Sequence, residues 1–219
     1  MEKIKKYDFI EIEYTGRIKE NDEVFDTTDK AVAEKNELHG HDFGPKIICI
    51  GEEHILKGLD KNLEGRDVGN EYEFILKPEE AFGNKNANLI QLIPTNKFKQ
   101  QKIQPIPGMQ LNIDGMFGTI KTVSGGRTLV DFNHPLAGKE VLYKIKVNKK
   151  ITEDKEKLDA CIKLNLGSDF KSEIKESSAE IALKADVPKE VKEELKEKIK
   201  EFIPSIKNIN FTSKKQENK

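Results

Sequence analysis

Apolar residues in this chain come in short bursts, and the spacing inside each burst restricts what it can become. Ile10, Ile12 and Tyr14 alternate with Glu11 and Glu13, a period of two that lays one face of a strand on a core. Tyr72, Phe74 and Leu76 alternate in the same way, and Leu142, Ile145 and Val147 mark a further strand expected to pair with the first region. Helical spacing is confined to three segments: Ile55, Leu59 and Leu63, widened by Leu56; Leu158, Ile162 and Leu166; and Val191, Leu195 and Ile199. No burst approaches the ~20 apolar residues of a membrane-spanning helix. With 36% apolar and 35% charged residues among 219, the chain favours several small cores over one large globule. The expected fold class is α+β.

Turn residues and composition then divide the chain. Gly16 is read as a turn after the first strand, followed by an extended piece over 23–28 and a polar loop or flap over 29–43. A short apolar strand over 46–50 ends at Gly51, and a helix is expected over 53–65 with Gly65 as its stop. From Asn84 to about Leu129, Pro94, Pro105, Pro107, Gly108, Gly115 and Gly125-Gly126 punctuate short apolar runs, the pattern of a small β-rich unit. Beyond Ile151, Thr152 is expected to cap a helix, and Ala179, Ile181, Leu183 and Ala185 alternate as a strand. Pro188 is expected to open a second helix, and Ile209 and Phe211 fit a last strand, giving an αβαβ segment. The polar residues 214–219 are expected to fray. The expected domains are 1–84 with 130–152, 85–129, and 153–219.

Several function classes are excluded by what is missing. The net charge is −1 and the lysines are mixed with acids, so no nucleic-acid partner is expected. Cys49 and Cys161 stand far apart without a CxxC, and Met1 to Lys6 lacks the apolar stretch of a signal peptide; the default location is cytoplasmic. His39 and His41 are two ligands, too few for a metal site, so no metal and no cofactor are expected. Gly138-Lys139 lacks the earlier glycine and the following Ser/Thr of a phosphate loop, and no hydrolase motif occurs.

Three segments carry a resemblance: Tyr14-Thr15-Gly16, Val24-Phe25-Asp26-Thr27-Thr28, and Ile50-Gly51 through Leu59-Asp60 to Leu63-Glu64-Gly65, with Ala81-Phe82-Gly83 after them. Their order and spacing resemble the FKBP family of prolyl isomerases. The run Val130 to Lys139, with His134-Pro135 in it, resembles the segment where the SlyD-like branch re-enters its isomerase domain after an inserted "insert-in-flap" domain. The C-terminal segment looks like that of long archaeal members. The resemblance implies an FKBP-like antiparallel β-sheet wrapped on a short helix, an inserted small β-rich domain and a C-terminal α/β domain.

It also implies a site. Tyr14 and Phe25 would wall a prolyl cup, Ile55 and Leu56 would contact the residues around the proline, and Leu59 would form the floor. Phe82 and Tyr143 would complete the ring, with Asp26 at the rim holding a tyrosine hydroxyl or biasing the substrate carbonyl. Phe82 stands where the family commonly has tyrosine, so a hydroxyl contact is missing. Taken singly, Phe25, Leu59 and Tyr143 read as ordinary core residues; the ordered set carries the assignment. The insert is too short to bury all its apolar runs, so Leu89, Ile90, Leu92, Ile93, Phe98, Met109, Met116 and Phe117 are assigned to binding unfolded polypeptide. The expected partners are unfolded, proline-containing polypeptides. The C-terminal segment is a candidate homodimer contact or extra client surface, and its residues leave that choice open.

Overall fold

The computed structural model describes residues 2–40, 43–167, 170–184 and 187–213. His41, Ala185 and residues 214–219, each given a reading above, lie outside the described residues. The first elements are β1 (Phe9–Ile18), β2 (Val24–Thr27), α1 (Lys30–Lys35), β3 (Lys46–Cys49), α2 (Lys57–Leu63) and β4 (Glu71–Leu76). Then come β5 (Ile90–Pro94), α3 (Thr95–Gln100), β6 (Gln110–Ile113), β7 (Met116–Ser124) and β8 (Arg127–Asp131). The chain continues with β9 (Val141–Lys150), α4 (Asp154–Leu166), β10 (Phe170–Lys175), β11 (Ser178–Leu183), α5 (Lys189–Phe202) and β12 (Asn208–Ser213). Among the described residues, no helix is long and apolar enough to cross a membrane.

Two compact units result, residues 1–76 with 141–219, and residues 77–140. The division differs from the expected one: the second unit is wider than 85–129, and the C-terminal residues share a unit with the first strands. The reason is apolar packing. Phe9, Cys49 and Ile151 are buried in one cluster with Leu158, Cys161, Ile162, Ile181, Leu195, Ile199 and Phe202. The Phe202 ring lies 5.1 Å from that of Tyr7 and 6.2 Å from that of Phe9.

In the first unit β1 is the central strand. It pairs antiparallel with β9 from Ile18↔Val141 to Ile10↔Lys150, and β9 pairs in turn with β4. On its other side β1 carries β2 and then β3, also antiparallel. The alternation of Ile10 and Ile12 against Glu11 and Glu13 is the signature of this half-buried sheet: both isoleucines have no exposed surface. A second sheet, in the order β10-β11-β12, joins its last two strands in parallel, which requires a crossover; α5 supplies it. The other unit is an antiparallel sheet, β5-β8-β7-β6, around a core of Phe98, Ile120 and Val130.

Several local expectations are corrected. The strand does not turn at Gly16 but runs on to Ile18. The stretch expected to be a plain loop contains α1, because the Asp29 carboxylate accepts the N–H groups of Ala31 and Val32 at 2.7 and 3.2 Å. The helix expected from residue 53 starts only at Lys57, with Leu56 extended at its cap. Here the buried Asp60 carboxylate accepts the Gly51 and Glu53 N–H groups, each at 3.0 Å, and Glu53 takes a left-handed φ of 53°. Those bonds curl residues 51–55 into a loop. Neither Thr152 nor Pro188 is placed as expected: α4 is preceded by Glu153 without a side-chain cap, and Pro188 lies one residue before the first helical position. Strand β10 and helix α3 were not foreseen, since FKSEIK and TNKFKQ are short and heavily charged or polar.

Replacing Asp60 by alanine leaves two part-buried N–H donors without their acceptor, so a loss of about 2–4 kcal/mol in unfolding free energy is expected. Urea unfolding followed by circular dichroism measures it. Asp60→Asn, which keeps one carbonyl oxygen, should lose less.

Candidate functional site

The register of three strands assembles the site. Gly16 of β1 faces Tyr143 of β9 on one side and Asp26 of β2 on the other. Paired residues in adjacent strands project to the same face, and Tyr14, two residues before Gly16, joins them. Gly16 is needed for proximity: a Cβ there would sit 2.7 Å from Tyr143 Cζ and 3.0 Å from Phe25 Cζ. Phe25 reaches this face through a bulge. Gly16 pairs with Asp26 and Arg17 with Val24, so Phe25 is the extra residue, and a bulge re-aims the side chain it carries.

The rings then meet edge to face. Phe25 and Tyr143 have centroids 5.7 Å apart at 79°, and Tyr14 and Tyr143 are 5.8 Å apart at 55°. The Tyr14 and Tyr143 hydroxyls and the Thr27 N–H lie near the Asp26 carboxylate and favour its charged form. Burial nevertheless raises the Asp26 pKa above the ordinary carboxylate value, against those groups and the nearby Lys46 charge. Burial, followed by the Asp26 charge, pushes the Tyr14 hydroxyl up to about 12 and Tyr143 further in the same direction. Thr28 clamps the Tyr14 backbone, its hydroxyl accepting the Tyr14 N–H at 2.9 Å and its own N–H donating to the Tyr14 carbonyl at 2.9 Å.

Ile55 and Leu56 lie half-buried in the loop that Asp60 curls, and Leu59 is buried on α2. Beside them, His54 accepts the Cys49 N–H on Nδ1 at 3.2 Å, and burial lowers its pKa, which keeps that nitrogen an acceptor. Phe82 belongs to the second unit, where its ring stacks flat on His134 at 4.8 Å. The structure thus brings Tyr14, Phe25, Asp26 and Tyr143 into mutual contact. Gly16, Thr28 and Lys46 lie against this cluster and Asp60 shapes the loop of residues 51–55; none was assigned to the site from the sequence, though for Gly16 the signal was present, a glycine inside an alternating strand.

Of the residues assigned to polypeptide binding, Leu92, Met116 and Phe117 are well exposed at 61%, 44% and 65%, and Ile90 is exposed at 38%. Leu89 and Ile93 are half-buried, and Met109 packs on the unit's own core. Phe98 is a correction: only 3% exposed, it is the centre of that core. Exposed Ile106 and Val123 were missed.

Residues 1–103 match the family model described as FKBP-type peptidyl-prolyl cis-trans isomerase, and residues 91–136 match that of the FKBP26 IF domain. A short-type peptidyl-prolyl cis-trans isomerase of Methanocaldococcus jannaschii is 31% identical over 146 residues, 66% of this chain and 92% of the relative. The chain belongs to the FKBP-type peptidyl-prolyl cis-trans isomerases. It is an enzyme of that class, and the family's substrates are proline-containing polypeptides. An FKBP-type isomerase named SlyD from Pasteurella multocida is 37% identical over 107 residues, 47% of this chain and 53% of the relative. The FKBP-type 16 kDa isomerase of Escherichia coli is 36% identical over 107 residues, 47% of this chain and 72% of the relative.

At this ring cluster, Gly16→Ala forces a methyl group into the buried Tyr143 ring. Overpacking of this kind costs about 1–3 kcal/mol. Thermal unfolding should register that loss, and wild-type stability in the variant would show that the Tyr143 ring does not lie against Gly16.

Proposed function

We propose that the cup of Tyr14, Phe25 and Tyr143, with Ile55, Leu56 and Leu59 around the proline, is where this isomerase turns prolyl bonds. The observation that carries the reading is the cluster of three rings gathered around the missing side chain of Gly16 and tied by Asp26. Rotation of an amide faces a barrier of ~18–20 kcal/mol, set by resonance that separates charge onto oxygen and nitrogen. A dry, aromatic surround stabilises that separated charge less than water does, so the planar form loses more than the twisted one. Each ~1.4 kcal/mol taken off the barrier gives about tenfold in rate. No nucleophile, metal or cofactor is required for a gain of that kind, only a cavity that fits the twisted state better than the planar one.

Asp26 acts on the rings. Its carboxylate fixes both tyrosine hydroxyls and so sets the width of the cup. The test is the exchange rate of a prolyl tetrapeptide with and without the protein, and a rate equal to background would refute the catalytic reading. The pH profile carries more detail. The alkaline side should stay flat past pH 10, because Tyr14 ionises only near 12 and Tyr143 above that. On the acid side kcat/KM should fall as Asp26 takes up its proton, above the usual carboxylate range, and Asp26→Asn should remove that limb. The folded protein binds this proton more readily than the unfolded chain. The stability that Asp26 contributes is therefore present below the unfolded pKa and lost as pH rises through the folded one, so the acid limb is not unfolding driven by Asp26.

The second unit is read as a holder of unfolded polypeptide, through exposed Leu92, Met116 and Phe117. Apolar surface of this extent on so small a unit is what a client would cover. Tethering a client to the chain that carries the cup raises the effective concentration of its prolyl bonds. The doubly substituted Leu92→Ser, Phe117→Ser protein should turn over the tetrapeptide as wild type does, yet catalyse proline-limited refolding of a reduced protein several-fold less well. Equal loss in both assays would contradict this division of labour.

A further inference from the structure

Tyr14 and Ile55 also line a groove outside the ring cluster, with a cavity volume of about 660 Å3, in the range of ligand clefts. Ile47 and Ile48 of β3, Ala160 and Leu164 of α4, and Phe170 at the start of β10 line it with them. Leu164 is 37% exposed and lies outside the Leu158, Ile162 and Leu166 stripe, so the core does not account for its being apolar. The charged residues around the groove largely answer one another. Lys149 lies 3.9 Å from Glu11 and 3.8 Å from Glu156, while Asp159 is bonded by Lys155 and Ser172. Such a groove has little to offer a small ion and much to offer an uncharged segment of chain.

Its backbone fits the same occupant. The Cys49 N–H points away from β1, to His54. By the alternation of a strand, the Ile47 N–H two residues earlier also points away from β1, and Ile47 lines the groove. An extended peptide is recognised by a strand edge of this kind together with pockets for alternate side chains. We propose that the groove between β3 and α4 seats the polypeptide on one side of the proline held in the cup, as an extended stretch with apolar side chains against Leu164 and Phe170. The C-terminal segment is then part of the substrate site, and Leu164 a specificity residue. The proposal rests on the cup being the catalytic site, since the two share Tyr14 and Ile55.

The test compares kcat/KM for a prolyl tetrapeptide with that for the same peptide extended by four residues, including Leu and Phe, at its N-terminal or its C-terminal end. Wild type should gain about tenfold from extension at one end, through KM, and nothing at the other. Leu164→Glu should lose the gain while turning over the tetrapeptide normally, and Leu164→Met, apolar and of similar volume, should keep it. If the charge disturbs α4 and tetrapeptide turnover falls, Leu164→Gln gives the same reading. No gain at either end, equal gains at both, or a gain that survives in Leu164→Glu would overturn the groove and point, in the last case, to the second unit. A wild type inactive on the tetrapeptide would instead remove the catalytic reading, and the groove with it.

Discussion

The pairing of β1 with β9 is the contact on which the first unit turns. It joins residues 10–18 to residues 141–150, bringing together stretches more than a hundred positions apart, and it fixes which side chains share a face. A slip of one residue would carry Tyr143 to the other side of the sheet and set Leu142 or Lys144 opposite Gly16 instead. The ladder therefore sets which rings meet as well as the fold. Its bulged neighbour β2 supplies Phe25, and the short turn of α2 behind the loop of residues 51–55 supplies the aliphatic side.

The ring cluster is economical in reactive groups. Two tyrosines are kept protonated by burial, and one carboxylate is held among them at a cost that its hydrogen bonds only partly offset. The result is a weakly polar cluster of rings.

Much of this was legible in the sequence, for identifiable reasons. Alternation over Ile10, Ile12 and Tyr14, and over Tyr72, Phe74 and Leu76, reports half-buried strands directly. The ordered set of Tyr14, Phe25, Asp26 and Tyr143 could be assembled only through a family resemblance, because spacing says nothing about contacts between distant segments. The errors fall where a tertiary interaction overrides a local pattern. Asp60 takes its bonds from Gly51 and Glu53, so the stripe begun by Ile55 does not become a helix until Lys57. Gly16 looks like a turn until the ring of Tyr143 is placed against it. Phe98 looks like surface because its neighbours are lysine and glutamine, yet one side of a short helix suffices to bury it. The C-terminal residues read as separate because nothing in their own pattern reveals that Phe9 and Cys49 lie beneath them.

That shared cluster sets an order of events during synthesis. Phe202 closes over Tyr7 and Phe9, and it leaves the ribosome some 190 residues after them. At ~5–20 residues per second the delay is roughly 10–40 s. Through that interval the nascent chain carries an uncovered apolar patch at Phe9 and Cys49. The delay is of the same order as an uncatalysed prolyl flip, tens of seconds. A newborn copy of this enzyme is thus, for about as long as one unassisted turnover, in the same condition as the clients it would serve.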